Sequence, residues 1–298
     1  MNKLLTTFLA LFLFCINIQA QITQPKRVEV ETNKEFYNFS VTPINNKKVF
    51  VSYTDYNDDG TFTKYFQLKD ENLDVIKKNY IKFDSEFKPN KTYTISSYDK
   101  DKDLFYYLFQ NRKKGNYTLL SINMSDLSFK KLSGILPKKT YPSALYVIGQ
   151  KAYYSFINKK GSTLYSIDLK SGEYNVYTPK DIMGKRSGIS GMQLIGHDDK
   201  KELWVAYYSY ISNHHQNKTV IRFDVNNKEL PPFKLNDTDD KKHLDLTTSP
   251  AKDGGYFVYG SYNSKNRKGA SEGVYLAKVS ESGKLKFVDY TNFLDLNN

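Results

Sequence analysis

Apolar and polar positions along this chain fall into short runs, and one phrase of runs keeps returning. An aromatic-rich run is followed by a polar loop, a second run that ends at an Asp, Asn, Ser or Gly turn, and then a third run. Runs of this length, rich in Tyr and Phe and bounded by turn residues, predict pleated, half-buried strands, and no segment shows a sustained helical period. The strong strands begin near Val49, Leu104, Ala152, Leu203 and Tyr256, at steps of 55, 48, 51 and 53 residues. A fixed spacing of that size marks a repeat architecture. It predicts an all-β chain, a β-propeller of about five four-stranded blades packed face to face around an axis.

Within the third repeat the four strands fall at Ser143 to Ile148, Lys151 to Ile157, Ser162 to Asp168 and Glu173 to Tyr177, from the axis outward. The turn Asp168-Leu169-Lys170-Ser171-Gly172 joins the last two, because Asp can bond its own backbone and Gly accepts positive φ. Turns beginning at Asp70, Asn123, Asp224 and Ser280 occupy the same place in the other repeats. Small residues (Ser40, Ser96, Ser143, Ser190 and Thr247) sit where the innermost strands converge, and Trp204 with the Tyr and Phe stripes is read as packing between blades. At the ends, Arg27 to Glu31 resembles an outermost strand and Asn292 to Leu296 the start of an innermost one. This leaves two readings, a five-bladed ring with spare end strands or an incomplete sixth blade in a fragment of a longer protein.

Residues 1–20 end an apolar run, Leu4 to Ile18, with Gln19 and Ala20, a pattern of a secretory signal cleaved before Gln21. The expected organisation is a signal peptide over 1–20 and one propeller domain over 21–298, with no membrane span after cleavage. Cys15, the one cysteine, lies inside the leader, so the exported domain folds without disulfides. Of 44 Lys and Arg only Lys3 is lost with the leader, and 43 bases against 32 acids leave a formal charge of +11. A balance of this sign steers acidic partners toward the surface. The ending Ile18-Gln19-Ala20-Gln21 on an Asn-, Lys- and Tyr-rich body resembles exported β-propeller repeat proteins of the Bacteroidetes type, with kelch- and WD40-like blade length. The resemblance implies a secreted, periplasmic or cell-envelope location.

Equivalent loops of a propeller emerge on one face, which sorts the charge. Loops between the second and third strands carry Lys113 and Lys114, Lys159 and Lys160, Lys218, and Lys265, Arg267 and Lys268, a basic rim read as a ligand-binding face. The opposite face mixes signs. Asp55, Asn57, Asp59 and Gly60 imitate the start of a calcium loop, but Phe66 stands where the bidentate Glu belongs, so a hairpin turn is expected and no metal. His214 and His215 are adjacent and lack ligand spacing to His197 or His243. Asp99 and Asp245 are the inner-strand carboxylates a glycosidase or lyase would use, and no catalytic or cofactor motif accompanies them. The sequence therefore favours an exported binding or scaffold propeller for an acidic glycan or a protein partner, without cofactor and without nucleic acid. A propeller-fold glycoside hydrolase or lyase is the alternative.

Overall fold

A computed structural model describes residues 37–87, 91–138, 141–158, 161–177, 187–196, 200–210, 216–238, 240–252, 254–264 and 270–297. The proposed leader and Arg27 to Glu31 lie outside them. The first sheet is β1 (Tyr37–Asn45), β2 (Lys48–Tyr56), β3 (Phe62–Asp70) and β4 (Val75–Phe83); the second is β5 (Thr92–Asp99), β6 (Leu104–Asn111), β7 (Asn116–Asn123) and β8 (Phe129–Ile135). The third is β9 (Tyr141–Ile148), β10 (Lys151–Asn158), β11 (Gly161–Asp168) and β12 (Tyr174–Tyr177), and the fourth is β13 (Ser187–Ile195), β14 (Glu202–Tyr210), β15 (Gln216–Phe223) and β16 (Glu229–Asn236). The fifth sheet has a split inner strand, β17 (Lys242–His243) and β18 (Thr247–Pro250), both paired to β19 (Tyr256–Asn263), followed by β20 (Gly273–Val279) and β21 (Leu285–Asn292). All pairings are antiparallel and, with β17 and β18 taken as the two halves of one inner strand, run in chain order, so every sheet is a meander.

The turns explain the regularity. Asp70 Oδ1 accepts from the amides of Asn72 and Asp74, Asp168 Oδ1 from those of Lys170 and Ser171, and Asp224 Oδ1 from those of Asn226 and Lys228. Asn123 Oδ1 and Ser280 Oγ do the same work in the second and fifth sheets. Each turn also places one residue at positive φ, namely Leu73, Leu127, Gly172, Asn227 and Gly283. The side chain thus supplies the local bond that reverses the chain before any tertiary contact forms. Two of the small inner-strand residues bond to the next strand: Ser40 Oγ lies 2.8 Å from Ser52 Oγ, and Ser143 Oγ 2.7 Å from Ser155 Oγ.

Among the described residues four apolar cores join successive sheets. Phe50, Phe66 and Leu68 meet Phe105, Tyr107 and Ile122; Leu119 and Tyr117 meet Leu145 and Tyr154; Ile148 and Leu164 meet Val205 and Ile221; Trp204 and Val220 meet Tyr256 and Ala277. Among the described residues no core cluster joins the fifth sheet to the first. Two end readings change. Asn292 ends β21 and accepts the Leu294 amide on its Oδ1, which turns Phe293–Asn297 into a 3-10 helix in place of an innermost strand. The Tyr stripes open toward the outermost strand: Tyr53, Tyr65 and Tyr80 line up across the first sheet, the first two half-buried and Tyr80 61% exposed, and Tyr174 at the outer edge of the third sheet is 40% exposed.

Candidate functional site

The predicted rim is only partly brought together. Lys113 is exposed in the loop between β6 and β7, where its amide bonds Asn111 Oδ1. Lys114 is spoken for by Glu86, 2.8 Å from its Nζ; this lysine together with Asn116 holds the Glu86 carboxyl below its usual range. Arg112 lies 3.9 Å over the ring of Tyr93. Lys218 is not a loop residue. It pairs with Tyr208 and Leu235 inside the fourth sheet, on the face of Val220 and Arg222, and is 2% exposed. The loop is shorter than the spacing suggested, so the strand carries Lys218 into the interface with the fifth sheet. Lys159, Lys160, Lys265, Arg267 and Lys268 lie outside the described residues.

The inner-strand carboxylates are committed elsewhere. Asp99 and Asp101 receive Lys201 at 2.8 and 2.5 Å, a pair that ties the second sheet to the fourth beside the inner ends of β5 and β13. Asp245 accepts the amide and hydroxyl of Ser261, which is why the inner strand of the fifth sheet is split; a Cβ on Gly260 would fall 2.2 Å from Asp245 Oδ1. The calcium-like loop closes as a hairpin: Asp59 Oδ1 takes the Thr61 amide and hydroxyl, and Asn57 Nδ2 donates to Thr61 Oγ1. Among the described residues no three His, Cys, Asp or Glu side chains gather as metal ligands.

What the structure assembles instead is a cleft of about 830 Å³ between the second and third sheets, on the face thought to be mixed in sign. Its floor is Leu104, Tyr106 and Leu119 of β6 and β7, and one side is β8 with Phe129, Lys130, Lys131 and Leu132. The other side is two hairpin turns of the third sheet, with Gly149, Gln150, Leu169 and Lys170. Lys102 closes one end and reaches the Gly149 carbonyl at 3.2 Å. Four lysines line this space, and none of its fifteen lining residues is acidic. Lys130, Lys131 and Lys170 are exposed. Burial, aided by Asp99, pushes the Tyr106 phenol up to about 12, so the ring stays neutral under the lysines.

The walls are held from outside the cleft. Tyr117 donates to the Gly172 carbonyl at 2.6 Å, and the Leu169 amide to the Gln150 carbonyl at 2.9 Å. Asn227 of the fourth sheet brackets the Gly149 turn, giving its Nδ2 to the Ile148 carbonyl and accepting the Gln150 amide. Gly149 has φ 56° and no room for a Cβ, which would meet the Val225 carbonyl at 2.1 Å. Sorting charge by loops missed this site because Lys130 and Lys131 lie on an outermost strand. The available signal was Lys130 at the alternation that puts Leu132 and Ser128 on the same face of the strand.

No protein-family model and no curated protein matches the chain. Solved structures similar to it include the β-propeller domain of the Trilobed protease from Pyrococcus furiosus, at 14% identity over 88% of this chain and 73% of that chain, with a TM-score of 0.45. An oligogalacturonate lyase in complex with manganese matches at 10% identity over 85% and 73%, TM-score 0.42. TolB from Acinetobacter baumannii matches at 17% identity over 88% and 56%, TM-score 0.38. With five antiparallel meander sheets packed face to face in succession, the chain is a β-propeller.

Proposed function

We propose that this chain is an exported binding propeller that holds an acidic glycan in the cleft between its second and third sheets. The observation that carries the reading is four lysines around a half-apolar groove with no carboxylate. Cations neutralise the acid groups of such a ligand, while Tyr106 and the leucines accept its C–H faces and Ser121, Asn123 and Gln150 offer hydrogen bonds. The net positive charge draws the ligand in. A hydrolase would need two carboxyl groups flanking the bond, and the lining supplies none. The leader pattern over 1–20 and the resemblance to exported propellers of the Bacteroidetes type support the export part of this reading, which looks for the ligand at the cell envelope or beyond.

The test is binding of a polyuronate oligosaccharide and a neutral glucan at low and high salt. The polyuronate should bind, and more weakly in salt. Replacing Lys130, Lys131 and Lys170 together with Ala should weaken it roughly tenfold or more, at about 0.5–1 kcal/mol per exposed charge. Lys113→Ala, on the other rim, is the control. Equal affinity in the triple variant removes the cleft as the site; a loss confined to Lys113→Ala moves it to the rim.

A further inference from the structure

The interface between the fourth and fifth sheets is hollow near the inner strands, and the interface between the first and second shows what fills that place elsewhere. In the first sheet Ser40 pairs with Ser52 and Ser52 with Phe66, four residues before the Asp70 turn. Tyr107 of the second sheet, paired with Leu120 three residues before Asn123, packs over them. Its hydroxyl lies 2.6 Å from Ser52 Oγ and its ring 6.0 Å from that of Phe66. In the fourth sheet the same ladder reads Gly191, Ala206 and Val220, the last again four residues before its turn at Asp224. The fifth sheet answers with Val258, paired with Ala277 three residues before Ser280. Each of the four positions carries the smaller side chain. What results is a pit of about 70 Å³, floored by Trp204, Ala206 and Val220 and rimmed by Gly191, Gln193 and Leu246. The floor is buried and Gly191 is exposed, so the pit opens at the innermost strand. Register puts Gly191 on the face of Ala206 and Trp204, and a Cβ there would meet no atom within 4 Å.

We propose that this pit is a binding site for the acetamido group of an N-acetylated sugar. The methyl enters the hollow against Trp204, Ala206 and Val220, and the amide stays at the rim beside Gln193. The carboxamide of Gln193 offers a donor and an acceptor, matching the two polar atoms of an acetamide, and its Nε2 is oriented by donation to Thr248 Oγ1. Size and polarity select the group. An apolar cavity of about 150 Å³ admits benzene, so a space near half of that takes an alkyl group of a few carbons and rejects a ring. None of the lining residues is charged, which disfavours an acid group that would lose its water there. The pit shares no residue with the lysine-lined cleft.

Trp204 is the one tryptophan of the chain, so its fluorescence reads the pit directly. Titration of the full chain with di-N-acetylchitobiose should shift the emission saturably. Cellobiose, neutral and without the acetamido groups, should bind roughly tenfold more weakly or not at all, since a buried methyl alone is worth roughly fourfold and the amide contacts add to it. The N-benzoyl analogue should fail to enter. Xenon under pressure should move the amide resonances of Gly191 and Ala206. Gly191→Val, which fills the mouth, should abolish the sugar and xenon responses while the thermal midpoint holds or rises, as filled cavities allow. Gly191→Ala, for which the Cβ has room, should weaken both less and carries the test if the valine variant unfolds. Replacing Lys130, Lys131 and Lys170 should leave the acetamido response unchanged. Equal affinity for di-N-acetylchitobiose and cellobiose overturns the proposal. So does xenon that leaves the Gly191 amide unmoved, or a folded Gly191→Val variant that binds as the parent does.

Discussion

The first and fifth sheets carry the same tyrosine pair at the same register, and the two pairs meet opposite surroundings. Tyr275 is sealed against the fourth sheet and gives its hydroxyl to the Asp245 carbonyl at 2.6 Å. Tyr65 faces no described sheet. Two and four residues further on, the fifth sheet has Ala277 and Val279, both 0% exposed, where the first has Gln67 and Lys69. Apolar partners accompany the ladder of the fifth sheet and polar ones that of the first, where Tyr65 and Gln67 are half-buried and Lys69 is buried, so the same local pattern is sealed to different depths in the two places. The covered side also holds a buried polar clasp. Glu202 accepts from Arg222 at 2.9 and 3.0 Å, from Trp204 Nε1 at 2.7 Å and from the Tyr256 hydroxyl at 2.7 Å. Arg222 spends its remaining reach on the Glu281 carbonyl.

Breaking the clasp should show how far the two ends differ. Glu202→Ala leaves Arg222 charged and buried, and should cost about 3–5 kcal/mol in chemical denaturation. Next comes the same substitution at the two equivalent tyrosines: Tyr275→Ala should cost about 3 kcal/mol, as large-to-small changes in a packed core do, and Tyr65→Ala, half-buried against Tyr53 and Tyr80, about 1 kcal/mol. Equal costs would mean that Tyr65 is packed as tightly as Tyr275.

Acid should sharpen the contrast further, with a smaller effect. His243, 1% exposed on β17, has its pKa lowered to about 4 by burial and then by Lys218. Its Nε2 lies 2.9 Å from the Tyr290 hydroxyl; its Nδ1 is 3.4 Å from Asp237 Oδ1, outside hydrogen-bond geometry. The folded state holds this imidazole neutral while the unfolded chain protonates it below about 6.5, so its contribution is lost as pH falls. Between pH 7 and 5 the loss should be about 2 kcal/mol, read as faster amide exchange in β17 and β19. His243→Gln should flatten that profile, and exchange in the first sheet should not follow it.

Much of this was legible in the residues. Asp70, Asp168 and Asp224 announced their hairpins because an Asx turn is made within four residues and owes nothing to the rest of the fold. Strand order followed, since consecutive strands joined by tight turns pair as neighbours. The failures share a different cause. Lys218 and the loop lysines have the same local signature, and the strand register alone places one inside an interface. Asn292 looked extendable until its side chain capped the next turn. The cleft escaped notice because its lysines come from β8 and from turns of two different sheets.

The sequence by itself determined the repeat, its strands and its turns, because these depend on side chains bonding their own backbone and on runs short enough to be read directly. Only the tertiary structure decided how deeply each tyrosine ladder is sealed, which lysines stand around a common cleft, and that Asp99 answers Lys201 about a hundred residues away. Those outcomes depend on which faces meet, and facing is set by register and by the angle between packed sheets, quantities that no single run of residues encodes.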